Sequence, residues 1–165
     1  MASNPTQTNS LQPAFRRVAQ QDRHDDTFAV ISMLTGKTLD VVLRQAETHG
    51  LPKSGPYFPW IDGDLIAKVL AANGLVATVW KECSSYKDLP EVAIALVQYD
   101  EDWEVGRCVL YHRNSSSDGK SSQPYVIDPY PHTDTKQHMR AGADLVGLPP
   151  AWFISVSQMA KGAGK

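Results

Sequence analysis

Two cysteines, five histidines and a few carboxylates are the residues in this 165-residue chain that could carry group-transfer chemistry. Cys108 lies in the strand-like run GRCVLYH, where a small buried hydrophobe is the expected role, and Cys83 lies in the polar turn KECSSYK. Two thiols are too few for a disulfide framework and are not at a metal-ligand spacing, so a reducing compartment is expected. His132 and His138 fall in PHTDTKQHMR, too loosely spaced for a metal site and read as a solvated loop; no metal or cofactor is expected. His24 and His112 each adjoin a candidate motif, and His112 paired with Cys83 or Cys108 would make a nucleophile and base of the hydrolase or amidase kind. Asp25 and Asp26 precede an apolar helical run and read as N-cap and first-turn acids, while Asp128-Pro129 reads as a turn initiator. Tyr57, Phe58 and Trp60 cluster among prolines in SGPYFPWIDGD. They either pin that loop to the sheet or form a rigid aromatic ligand-binding surface. Trp80, Trp103 and Trp152 stand on separate elements and are expected to pack the core or cover its rim.

The elements that must position these residues follow from periodicity. Phe28, Ile31 and Leu34 recur at helical spacing in DTFAVISMLTG, with Gly36 where a C-cap would fall. A second helix begins at Thr38, where Leu39, Val42, Leu43 and Ala46 share a face and Gly50 closes the segment. A third is read in DGDLIAKVLAANG. After Gly74 come short β-rich runs: LVATVW, EVAIALVQY, GRCVLYH, PYVIDPY and AWFISVS. Helices first and strands second predict an α+β fold, with N-terminal helices packed on a C-terminal, mainly antiparallel sheet. NSSSDGKSSQ, residues 114–123, reads as a hairpin loop, since a parallel pair would need a longer crossover.

Composition bounds the rest. Hydrophobic residues are 42% and charged residues 21%, an ordinary globular balance that excludes coiled-coil, collagen-like and wholly disordered readings. The length fits one domain, expected over residues 14–160, with residues 1–13 a disordered tail and 161–165 a frayed end. A formal net charge of −2 supplies no basic field, so nucleic acid is not an expected partner. No apolar run suits a membrane span or a signal peptide, which predicts no membrane partner and a cytoplasmic location.

The order of certain pieces resembles the papain-like, bacteriocin-processing cysteine peptidases of the double-glycine leader type. These pieces are Gln20; Asp26-Thr27; Ser32-Met33-Leu34-Thr35-Gly36; Gly106-Arg107-Cys108-Val109-Leu110-Tyr111; and Val126-Ile127-Asp128-Pro129. The resemblance spans about Gln20 to Tyr130. It implies a papain-like fold, with Gln20 at the oxyanion position, Asp26 where the family has its nucleophilic cysteine, Arg107 where it has its base histidine, and Asp128 as the orienting acid. Two of the three acyl-transfer groups are thus replaced.

Chemically these replacements are severe. A guanidinium stays protonated and cannot act as a general base, and carboxylate attack on an amide gives an anhydride, a poor route without strong activation. Electrostatically they are conservative, since Asp26, Arg107 and Asp128 reproduce the negative, positive, negative order of thiolate, imidazolium and carboxylate. The expectation is an ion-paired triad in which Arg107 bridges both acids and Asp26 also caps the first helix. The resemblance therefore implies a catalytically inactive peptidase-like domain, since related non-catalytic domains dock substrate without cutting it. Such a domain would bind a peptide or protein segment in the former active-site cleft. Two alternatives stay open: an active cysteine hydrolase or amidase with a rearranged Cys/His site, and a structural or oligomerising protein.

Overall fold

The computed structural model describes residues 13–22, 24–53, 61–115 and 122–159. Three helices come first. Helix α1, Asp26–Thr35, ends at Gly36, whose φ of 72° is a left-handed conformation that glycine adopts without a Cβ clash. Residues Thr27 to Met33 are all buried, so α1 is enclosed on every side rather than amphipathic. It lies between α2 and the strand that carries Arg107 and Cys108. Helix α2, Leu39–Thr48, is capped by Thr38, whose hydroxyl accepts from the Val41 N–H, and it buries Leu39, Val42 and Ala46. Helix α3, Gly63–Ala71, is capped by Asp62, which accepts from the Leu65 N–H at 2.9 Å. Asn73 ties α3 to α2, donating to the Val69 carbonyl at 2.8 Å and to Gln45 Oε1 at 2.9 Å.

Among the described residues seven strands follow: β1 Leu75–Ala77, β2 Lys81–Glu82, β3 Val92–Asp100, β4 Val105–Ser115, β5 Ser122–Ile127, β6 Met139–Ala141 and β7 Pro150–Gln158. They pair antiparallel in the order β1-β7-β3-β4-β5-β6, with β2 also on β7. Helices on an antiparallel sheet make the fold α+β, as the element order requires.

Alternation along the strands sends residues to two cores. Ile94, Cys108, Leu110, Tyr125, Ile127 and Ile154 pack with the helices. Ala93, Ala95, Val97, Val109, Tyr111, Val126 and Phe153 pack on the other face beneath Leu89, Leu145 and Leu148. The second cover comes from short 3-10 turns at Tyr86–Asp88 and Gly142–Gly147, which have no periodicity for a sequence reading to detect.

Several boundaries depart from the sequence reading. LVATVW is strand only over Leu75–Ala77, and β2 starts beyond it at Lys81; at Thr78 the hydroxyl rather than the carbonyl accepts from the Ser155 N–H, which ends the backbone ladder of β1. The polar ends of NSSSDGKSSQ are paired, Asn114 with Gln123 and Ser115 with Ser122, so the hairpin strands extend into the stretch read as loop. PHTDTKQHMR is not wholly a solvated loop, since Met139 and Arg140 begin β6 and pair with Ile127 and Val126. No helix among the described residues is long and apolar enough to cross a membrane.

Candidate functional site

The start of α1, the start of β4 and the chain after β5 meet at one end of the sheet. The N-terminal segment is fastened there by Phe15 and Val18, which pack on the core, and by hydrogen bonds to the chain after β5. Arg17 Nε donates to the Asp128 carbonyl at 2.7 Å, Arg17 Nη2 to the Tyr130 carbonyl at 2.9 Å, and the Gln20 N–H to the Pro129 carbonyl at 2.9 Å. These bonds bring Gln20 to the mouth of a cavity of about 530 Å³, whose wall also includes His24, Asp26, Leu96, Arg107 and Cys108. Three of the four residues singled out by the motif order, Gln20, Asp26 and Arg107, thus face one space.

Asp26 is the first residue of α1. Its Oδ2 accepts from the backbone N–H of Cys108 at 2.6 Å, a bond that joins the helix to β4. Burial raises the Asp26 pKa; the N–H groups of Cys108, Thr27 and Asp26 itself pull it down, and the charge of Asp25 raises it further. Asp25, at the N-cap position, makes no side-chain bond to the helix. Its carboxylate instead accepts from the N–H groups of Gln21 and Asp22, both at 3.1 Å, and closes the turn that presents Gln20. Burial raises the Asp25 pKa as well. The expected side-chain cap is corrected for Asp25, which holds the preceding turn instead; Asp26 stands in the first turn as read, where it favours the helix dipole and its carboxylate also takes the Cys108 N–H of the strand.

Arg107 forms an ion pair with Asp128, Nη1 to Oδ1. Its Nε donates to Gln98 Oε1 at 2.7 Å, and its guanidinium carbon lies 5.6 Å from the centre of the Tyr130 ring. Asp128 Oδ1 also accepts from the Tyr130 N–H at 3.0 Å, while Oδ2 is buried with no partner among the described residues. The expected three-membered ion pair is not formed: among the described residues no salt bridge joins Arg107 to Asp26. Strand alternation supplies the reason. Cys108 points toward α1, so the next side chain along β4, Arg107, is turned away from it and onto Asp128, although both residues line the same cavity. One acid takes the strand's N–H and the other takes its cation.

Residues to which sequence reasoning assigned no part in the site complete it. Gln98 has φ 51° at a β-bulge where the β3–β4 register shifts between Val97 and Asp100, and this places its side chain on Arg107. Gly106 is required by close approach, since a Cβ there would lie 2.9 Å from both Leu96 Cγ and the Val97 carbonyl. Ile61, Trp80, Val105, Glu104 and Tyr130 form the remaining walls. The run YDEDWEV carried the only available signal, a dense set of acids between two strands that marks a hairpin turn.

The alternative Cys/His sites are not assembled. Cys108 Sγ is buried and accepts from the Thr27 hydroxyl at 3.3 Å, and burial drives its pKa far above the ordinary thiol range. His112 is four residues along the same strand, roughly 13 Å away by strand rise. It is buried against Phe15 and Tyr125, its Nδ1 is 2.8 Å from the Tyr125 hydroxyl, and burial lowers its pKa. Cys83 packs against the opposite core and its thiol is pushed up to about 11, mainly by burial. His132 makes an edge contact with Tyr130. Among the described residues no group of His, Cys, Asp and Glu could hold a metal ion. Tyr57, Phe58 and Trp60, the expected aromatic ligand surface, lie outside the described residues.

Comparison with known proteins adds a likeness to solved structures. No family model matches the chain, and no curated protein matches it. Among solved structures, the N-terminal peptidase C39-like domain of the toxin secretion ATP-binding protein from Vibrio parahaemolyticus is similar at 14% identity and a TM-score of 0.47. The match covers 86% of this chain and 100% of that one.

Proposed function

We propose that this chain is a peptidase-like domain that has lost peptidase chemistry and binds a peptide or protein segment in the cleft between α1 and the β3–β4 hairpin. One observation carries the reading: at the cleft a carboxylate accepts the Cys108 N–H from the first turn of α1, beside an arginine held by Asp128. Acyl transfer to a thiol needs a thiolate at such a helix start and an imidazole to pass the proton on. Asp26 offers a weaker nucleophile, and a guanidinium such as that of Arg107 has no lone pair with which to accept a proton. What stays is a cleft whose lining mixes the apolar Ile61, Trp80, Leu96 and Val105 with polar and charged side chains, which suits recognition of an extended segment. The papain-like resemblance in the order of the motifs makes that segment a peptide rather than another ligand.

Incubation with a mixed peptide library, followed by mass spectrometry, tests the loss of chemistry; no cleavage product is expected. Backbone amide shifts recorded with a bound library member test the location, with the changes expected at Ile61, Trp80, Leu96 and Val105. Turnover that disappears in Asp26→Asn or Cys108→Ala would refute the inactive reading. Shifts confined to surfaces away from those residues would refute the cleft.

A further inference from the structure

The charge distribution of the cleft selects among peptides. Of its charged walls, Arg107 is the cation, and Asp128 and Gln98 already occupy its Nη1 and Nε. The other two are acids, Asp26 and Glu104. Among the described residues no salt bridge reaches either of them. Asp26, itself partly buried, also sits beside a buried acid, Asp25, and what holds its charge is backbone N–H groups rather than a cation. A carboxylate withdrawn from water without a counter-charge is improved by any cation that can reach it.

Glu104 is brought to the wall by the turn joining β3 and β4. Asp100 Oδ1 accepts from the N–H groups of Asp102 and Trp103 at 3.0 and 3.2 Å, and Glu104 itself takes a left-handed φ of 52°. That turn also holds Trp103, 78% exposed, with Glu101 and Asp102 beside it. An exposed indole among acids next to a partly apolar cleft can cover the methylene stem of a long cationic side chain or meet its charge over the ring face.

We propose that the partner is a basic peptide segment, with a lysine or arginine side chain entering the cleft toward Asp26 and Glu104 beneath the Trp103 turn. The inference rests on the peptide-binding reading above and adds the sign of the charge. An acidic segment is opposed by the same walls, so charge complementarity sets the specificity as well as the encounter rate.

Fluorescence anisotropy with three short labelled peptides tests it, using one leucine-alanine frame with lysine, glutamine or glutamate at the same positions. The lysine peptide is expected to bind about tenfold or more tightly than the glutamine peptide, and the glutamate peptide more weakly than both. Asp26→Asn and Glu104→Gln are each expected to narrow the preference for the lysine peptide over the glutamine peptide; Asp40→Asn, on the exposed side of α2, is expected to change the affinity for neither. Should Asp26→Asn not fold, the exposed Glu104 decides the outcome by itself. Equal or tighter binding of the glutamine or glutamate peptide overturns the charge inference and leaves the cleft reading standing. Displacement of the lysine peptide by an equal concentration of spermidine overturns the assignment to a peptide. Failure of all three peptides to shift the cleft amides overturns the cleft reading with it.

Discussion

Replacing Arg107 by methionine removes the cation and keeps most of the stem, so the change isolates the ion pair. Asp128 has no solvent exposure, and its carboxylate would be left with the Tyr130 N–H on Oδ1 and no partner among the described residues on Oδ2. Breaking a buried pair by removing one partner costs roughly 3 to 5 kcal/mol. The Arg107 side chain is 19% exposed, and the Tyr130 bond survives, which argues for the lower end. The expected loss is therefore about 3 kcal/mol, or a fall in Tm of roughly 6 to 12 °C for a chain of this size. Urea unfolding followed by tryptophan fluorescence and circular dichroism measures it. Adding Asp128→Asn removes the orphaned charge, so the double variant should recover about 2 kcal/mol relative to the sum of the single losses. A loss under about 1 kcal/mol in Arg107→Met, or strict additivity in the double variant, would show that the two groups do not support one another in solution.

Asp26→Asn is expected to stabilise the fold at neutral pH, because the amide oxygen can still accept the Cys108 N–H without the burial of a charge. The sign follows from linkage. A carboxyl whose folded pKa is raised binds its proton more tightly in the folded state, so its contribution is lost as pH rises from the unfolded value of about 3.9 through the folded one. The gain over wild type should accordingly vanish in acid, and a constant difference across pH 3 to 8 in urea titrations would contradict it. Gly106→Ala should destabilise by about 1 to 3 kcal/mol, because the added methyl meets the Val97 carbonyl, which is fixed in the sheet; an unchanged Tm would mean that the bulge yields. Neither thiol should react quickly with a disulfide reagent at pH 7.5 in the folded protein, while both should react in urea, since burial raises both pKa values. Rapid native labelling of Cys108 would revive the rearranged cysteine hydrolase.

Much of the fold was legible because it is written in local periodicity. The helical spacing of Phe28 and Ile31, the helix start at Thr38, and the stops at Gly36 and Gly74 each act within a few residues. Leu34 was read as part of the buried face of α1 but is only partly buried, whereas Ala29 and Val30, off that face, are wholly enclosed. A helix packed on all sides has no polar side for its periodicity to reveal. β6 and the 3-10 cover over the second core were missed for a related reason, being too short to show any period.

The site was legible only in part. The types and order of Gln20, Asp26, Arg107 and Asp128 could be quoted from the chain, and so could the chemical consequence that a guanidinium cannot shuttle a proton. Which acid the arginine takes was not available there, because a one-residue step along a strand reverses the face, and the answer depends on which face α1 covers. Gln98, Tyr130 and Glu104 reach the site through a bulge, a turn after β5 and a hairpin tip, none of which has a sequence period. Residue types and local spacing, fixed by the covalent chain, determined the helices, the main strands and the chemistry that is excluded. The partners of each charge were decided by register and packing, because those bring together residues up to 113 positions apart.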